Sequence, residues 1–217
     1  MAMKYIKKGK EPSSLLAHRK KSYADYDNYA EKDELRDALL NEQGDICCYC
    51  MQRISKDNMK IEHWKPQSQY PELQLDYENL RASCKGNDGK SKFLPRHCDT
   101  SKAEQEITLN PVDEAKNCEK LIEYRRNGKI YSHDPIIDKE LNDILNLNTQ
   151  TLVNNRSEII DQIIEDLTRI KGKKAEWSIS EVKKKIQQYE SKANGKYKPY
   201  CQVVIYFLKK RFAKELK

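Results

Sequence analysis

The stretch that decides the reading runs Cys47-Cys48-Tyr49-Cys50, then Ile61-Glu62-His63-Trp64, then Asp76-Tyr77-Glu78-Asn79-Leu80, then Ser83-Cys84 and His97-Cys98-Asp99. Cys47 and Cys50 have the spacing of a zinc knuckle, and Cys84 and Cys98 can supply the other two thiolates of a closed tetrahedral site. Between the cysteines lies a second set, Glu62, His63, Asn79 and Asp99, which offers hard oxygen donors and one imidazole. That set suits a magnesium-type cation beside a general base. Cys48 is the spare residue of the knuckle, and the distant Cys118 and Cys201 read as inert core thiols.

Taken in this order, with Pro66 and Ser68 after Glu62-His63 and Lys102 after Asp99, the residues resemble an HNH endonuclease. The flanks narrow the resemblance. Lys10-Glu11-Pro12 with Leu15, Leu16 and Arg19, and Leu145-Asn146-Leu147-Asn148 with Leu152 and Arg156, are similar to the PtuB-like HNH proteins of bacterial antiphage Septu and retron systems. The resemblance covers most of the chain. It implies an α+β fold, a zinc-braced ββα-metal core with helical N-terminal and C-terminal parts. It also implies a metal-dependent hydrolase of nucleic-acid phosphodiester bonds, the toxic effector of a defence system. Such an effector would work beside a PtuA-like ATPase, with a retron reverse transcriptase and its DNA as further candidate partners.

By the same resemblance Glu62 and Asp99 hold a catalytic Mg or Mn ion, His63 addresses the phosphate, and Asn79 fixes the loop beneath His63. Two features depart from the family pattern. Asp99 stands where asparagine or histidine is usual, and residues 85–96 lengthen the segment between Cys84 and Cys98. The insertion leaves open whether those two cysteines share one zinc, and it makes His97 a rival to Asp99. DNA and structured RNA such as tRNA both remain open as substrate, because a histidine-activated water attacks either backbone. The alternative class is a catalytically inactive, zinc-stabilised nucleic-acid-binding or scaffold subunit.

Composition agrees with a modest core under a heavily solvated surface, with 37% of residues hydrophobic and 35% charged. The net charge of +7 is unevenly spread: residues 1–22 carry +6 and residues 171–217 carry +10, leaving −9 between them. Basic ends point to a polyanion, nucleic acid ahead of a membrane surface. Seven cysteines, with no apolar leader before them, point to a reducing cytoplasm and metal ligation rather than disulfides. No apolar run approaches the ~18 residues of a membrane span, the longest being Val203 to Leu208. A soluble, cytoplasmic chain is therefore expected.

Three regions are expected: a basic N-terminal arm and helix over 1–44, the zinc-braced nuclease core over 45–108, and a hairpin and helical region over 109–217. Pro12-Ser13-Ser14 can start a helix through Arg19, and Leu35, Leu39 and Leu40 line a second that ends at Gly44. Strands are expected from Ile46 to Ile54 and from Lys60 to Trp64, with the core helix from Asp99 to Glu106. Asn127-Gly128 marks a hairpin between Tyr124 and Tyr131. Beyond Asp134-Pro135 the apolar period is helical as far as Gly172. Ser178 and Glu181 form a capping box, and a last helix is expected from Pro199 to Lys217. Val203, Val204, Phe207 and Leu208 on that helix suggest a docking surface for the ATPase. Lys65, Lys102 and the basic ends are expected to position the nucleic-acid backbone.

Overall fold

Local signals set most boundaries in the structure, a computed structural model that describes residues 3–171 and 177–216. Helix α1 (Ser13–Arg19) follows Pro12, and α2 (Lys32–Gln43) buries Leu35, Leu39 and Leu40. Gly44 ends α2 in the left-handed region at φ +61. A Cβ there would lie 2.6 Å from the Tyr197 ring, so glycine is required for both backbone and packing. Strands β1 (Met59–His63) and β2 (Leu80–Cys84) pair antiparallel, placing Glu62 opposite Arg81 and His63 opposite Leu80. Short helices α3 (Asp99–Lys102) and α4 (Cys118–Leu121) follow. The hairpin of β3 (Glu123–Tyr124) and β4 (Ile130–Tyr131) then turns at Gly128, φ +82.

Helix α5 (Pro135–Lys139) is capped by Asp134 and runs into a π-helical turn, Glu140–Ile144. The rest is α6 (Gln150–Lys171), α7 (Ile179–Glu190), which carries the Ser178/Glu181 capping box, and α8 (Cys201–Arg211).

Several expected elements are corrected. No strand runs from Ile46 to Ile54. Cys47 N–H donates to Gln52 O and Met51 N–H to Cys47 O, which curls the segment into the knuckle and leaves a single bridge, Ile46 to Arg53. The second strand of the core is Leu80–Cys84. The core helix stops at Lys102, because Ala103 turns to φ +47. The last helix is α8, bounded by Tyr200 and Phe212 and so shorter than expected at both ends. The expected stop at Gly172 lies outside the described residues. Val203, Val204 and Leu208 are wholly buried, so they are core rather than docking surface; Phe207 alone of the four is half-buried.

The basic N-terminal arm is stapled to the body. Lys4 pairs with Glu119 at 3.1 Å and Lys8 with Glu42 at 2.6 Å, Arg19 donates to Leu75 O at 3.0 Å, and Ile6 N–H donates to Pro111 O. Lys7, Lys10, Lys20 and Lys21 remain exposed.

The Leu145-Asn146-Leu147-Asn148 segment has a mechanical role. Leu145 O accepts from the backbone N–H of Cys98 at 2.8 Å, and Asn146 Nδ2 donates to Arg96 O at 2.7 Å. The Asn148 amide brackets the Ile130 peptide, at 3.0 and 2.9 Å. Buried Arg156 donates to Gly128 O and Leu147 O. The helical region thus grips the last cysteine of the core and the hairpin at once.

Candidate active site and metal centre

The knuckle, the end of β2 and the residue before α3 bring Cys47, Cys50, Cys84 and Cys98 together, all buried, with their sulfurs within 4.8 Å of one another. Cys50 and Cys84 sulfurs are 3.8 Å apart. Zn–S bonds of ~2.3 Å in a tetrahedron put sulfurs ~3.8 Å apart, so the cluster is compatible with zinc. Burial pushes the Cys50 and Cys98 thiols well above their ordinary range, while hydrogen bonds within the cluster bring Cys47 and Cys84 down. Four adjacent thiolates therefore need a dication among them to coexist.

The insertion does not separate Cys84 from Cys98, because it folds back on itself. His97 N–H donates to Gly86 O, and a Cβ on Gly86 (φ +50) would lie 1.9 Å from His97 O. Cys118 and Cys201 lie in the core, where burial pushes each thiol up to about 12.

On the neighbouring surface β1 ends in Glu62 and His63. Adjacent strand residues face opposite ways, and here the environments differ accordingly. Glu62 is 1% exposed, and its Oε1 accepts from Tyr49 Oη at 2.7 Å and pairs with Lys102 Nζ at 2.9 Å. Burial pushes its carboxyl well above the carboxylate range; the Asp99 carboxyl, within hydrogen-bonding reach, adds to this, and Lys102 opposes it with less effect. Glu62 and Asp99 together offer carboxylate oxygens to one spot, and that donor chemistry fits a hard divalent ion.

His63 sits under the Tyr26 ring, edge to face with centroids 4.6 Å apart, and burial lowers its pKa below the ordinary histidine value. Its Nε2 is 3.0 Å from Gln74 O. A carbonyl can only accept, so Nε2 carries the hydrogen and Nδ1 keeps its lone pair. Asn79 is 4% exposed; Oδ1 accepts from Lys65 N–H at 2.7 Å, and Nδ2 donates to Lys65 O and Leu73 O. It clamps the loop that leaves His63.

Asp99, first residue of α3, lies with Glu62, and Lys60 Nζ stands 3.6 Å from its carboxylate. His97 lies on the cysteine side, with Nδ1 3.2 Å from Cys98 Sγ and 3.9 Å from Cys84 Sγ. Lys102, expected to meet the nucleic-acid backbone, is 1% exposed and held between Glu62 and His63 O. It braces the site from within. Lys65 is half-buried, paired with Glu106 and set over the Tyr70 ring.

Sequence reasoning passed over Tyr49 and Arg81. Tyr49, inside the knuckle and 1% exposed, ties the cysteine cluster directly to Glu62. Buried Arg81 holds the turn into β2 through Glu78 O and reaches Asn110. An aromatic inside Cys-x-x-Cys is the only sequence signal for the first; for the second there is none.

An HNH endonuclease family model matches residues 47–86. The chain is 29% identical over 153 residues to the Septu protein PtuB of Bacillus thuringiensis, covering 67% of this chain and 55% of that protein. It is 30% identical over 98 residues to "Retron Vc95 putative HNH endonuclease" of Vibrio cholerae serotype O1 biovar El Tor, covering 44% and 46%. The chain thus spans about half the length of the curated relatives it matches. No helix among the described residues is long and apolar enough to cross a membrane. The cysteine cluster, β1 and β2 are thus arranged around a segment that matches the HNH endonuclease family, in a chain similar to a Septu PtuB protein and to a retron HNH protein.

Proposed function

We propose that this chain is a metal-dependent endonuclease that hydrolyses nucleic-acid phosphodiester bonds. The observation that carries the reading is His63: burial favours its neutral ring, its Nε2–H is spent on Gln74 O, and Nδ1 keeps its lone pair at the end of β1, next in sequence to Glu62. In this reading Nδ1 takes a proton from a water aligned with the scissile phosphorus. The new P–O bond forms as the bond to the departing sugar oxygen breaks. Glu62 and Asp99 would hold one magnesium or manganese ion, which would neutralise charge on the phosphate and the leaving oxygen. Asn79 keeps the His63 loop in register, and Lys102 with Tyr49 keeps Glu62 aimed. Cys47, Cys50, Cys84 and Cys98 would bind one structural zinc. Zinc rather than packing would brace a two-stranded sheet that has little core of its own.

The PtuB relative supports placing the nuclease as effector of a cytoplasmic antiphage system beside a PtuA-like ATPase, and the retron relative supports a reverse transcriptase and its DNA as associates. The test is cleavage of plasmid DNA and of total RNA by the purified protein, with and without EDTA, beside His63→Ala. EDTA-sensitive cleavage lost in the variant is expected, and the substrate cut tells DNA from RNA. No cleavage of either, or equal cleavage by the variant, rejects the reading.

A further inference from the structure

Elements that give nothing to the His63 site enclose a second cleft. Strands β3 and β4, α6 and α8 wall a cavity of about 500 Å³, within the roughly 300–1,000 Å³ typical of small-ligand sites. Ile160 and Tyr206 line it as buried residues, Tyr131 and Phe207 as half-buried rings, and Arg125 and Arg211 as exposed guanidiniums. Carboxylates nearby are engaged. Glu123 accepts from Tyr131 Oη at 2.7 Å and from Tyr206 Oη, and pairs with Lys210, while Asp161 pairs with Arg126. Arg125 and Arg211 have no carboxylate partner among the described residues. They lie over rings instead, Arg125 over Tyr131 at 5.3 Å and Arg211 over Trp177 at 4.7 Å.

An apolar, ring-lined floor beneath unpaired guanidiniums matches a ligand with a flat face and an anionic edge. A nucleotide of an unpaired strand has both: the base can lie on a ring while the phosphates meet arginine. A paired duplex keeps its bases stacked inside and cannot fill a concave site. An acidic peptide would use the arginines but leave the ring-lined floor without a matching flat face.

We propose that this cleft is a binding site for one unstacked nucleotide of a single-stranded nucleic acid, separate from the HNH centre. It rests on the reading that the chain acts on nucleic acid, and it supplies a place where strand beyond the cleavage site is held.

The test is fluorescence-anisotropy binding of a labelled 20-nucleotide oligo-dT, the matching oligo-U, a 20-base-pair duplex and a poly-glutamate peptide. All are measured with the 217-residue chain carrying His63→Ala, so that binding is read without cleavage. The single strands should weaken about tenfold or more in Arg125→Ala/Arg211→Ala, and about fivefold or more in Tyr131→Leu, the low end for loss of one base–aromatic stack. Duplex binding should change less than about threefold in Tyr131→Leu, because phosphate contacts alone do not need the ring. Lys183→Ala/Lys184→Ala removes the same charge from exposed α7 positions and should weaken single strands no more than about threefold. Equal losses in that control, equal losses for duplex, absence of single-strand binding, or a peptide that binds more tightly and responds to Tyr131→Leu would each overturn the proposal. Comparing oligo-dT with oligo-U tells which backbone is held. Cleavage by the wild-type protein is scored separately, so a nuclease that cuts without using the cleft, and a cleft that binds without cutting, are distinct outcomes.

Discussion

At His63 two contacts and burial act together: the Gln74 carbonyl takes Nε2–H, the Tyr26 ring packs against the imidazole in a T-shaped pair, and burial favours the neutral form. His63→Ala should lower cleavage by roughly 10²-fold or more, the usual size of a general-base contribution. It should leave zinc content and circular dichroism unchanged, and a variant that cuts at wild-type rate would remove His63 from the role. Asp99 and His97 separate in the same way. Asp99 lies with Glu62 and His97 lies against Cys98, so Asp99→Ala should lose activity that excess magnesium only partly restores, while His97→Ala keeps most of it. Tyr49→Phe removes one hydrogen bond to Glu62 and changes no charge. Loss of such a support costs about 10–100-fold in metal affinity, so the magnesium concentration for half-maximal cleavage should rise about tenfold while the maximal rate recovers. A maximal rate that stays low at saturating magnesium would mean that Tyr49 does more than aim the carboxylate.

Elements defined by local chemistry were legible in the sequence. The Gly44 stop, the Asn127-Gly128 turn, the Ser178/Glu181 box and the cysteine knuckle each depend on a few neighbouring residues, and each is present. What could not be read depends on distant partners. The pairing of β1 with β2, the end of α3 at Ala103, and the burial of Lys102 all follow from where Glu62 and the cysteines meet in space. Charge counts could not tell which lysines of the N-terminal arm are paired: Lys4 and Lys8 have partners, Lys4's lying 115 residues away, while Lys7, Lys10, Lys20 and Lys21 stay exposed.

The hairpin shows how such long-range ties act. Glu123 on β3 accepts from Tyr206 on α8 and Tyr131 on β4 and pairs with Lys210, and these contacts hold its carboxyl at about 2 instead of the ordinary 4.5. A depressed carboxylate adds stability above its unfolded pKa and loses it as pH falls through the folded value. The Tm difference between wild type and Glu123→Gln should therefore be full near neutrality and shrink between about pH 4.5 and about pH 2. A difference independent of pH would mean that Glu123 contributes only its shape.

Across the whole molecule the buried residues form one continuous cluster from Met3 to Leu208, and α8 is its spine. The segment entering α8 is bonded to the cysteine knuckle and its flanks. Tyr200 N–H donates to Met51 O at 3.1 Å, Tyr197 N–H donates to Gly44 O at 3.0 Å, and Arg53 reaches Tyr197 O. On the far side Asn155 of α6 donates to Tyr200 Oη. A detachable docking helix would show none of this; it would leave with its partner and the zinc site would persist. Here, deleting residues 199–217 removes Val203, Val204, Ile205 and Leu208 from the core and strips the backing of the knuckle. Buried aliphatics each cost roughly 2–5 kcal/mol when truncated to alanine, and folds of this size have about 5–15 kcal/mol in hand. The truncated chain should therefore be insoluble or molten and should not retain zinc, matching Cys47→Ser and Cys50→Ser, whose loss of a thiolate should unfold the same core. Metal analysis of the soluble fraction is the check. A folded truncation with about one zinc per chain would show that the core stands alone and that α8 is an appendage after all.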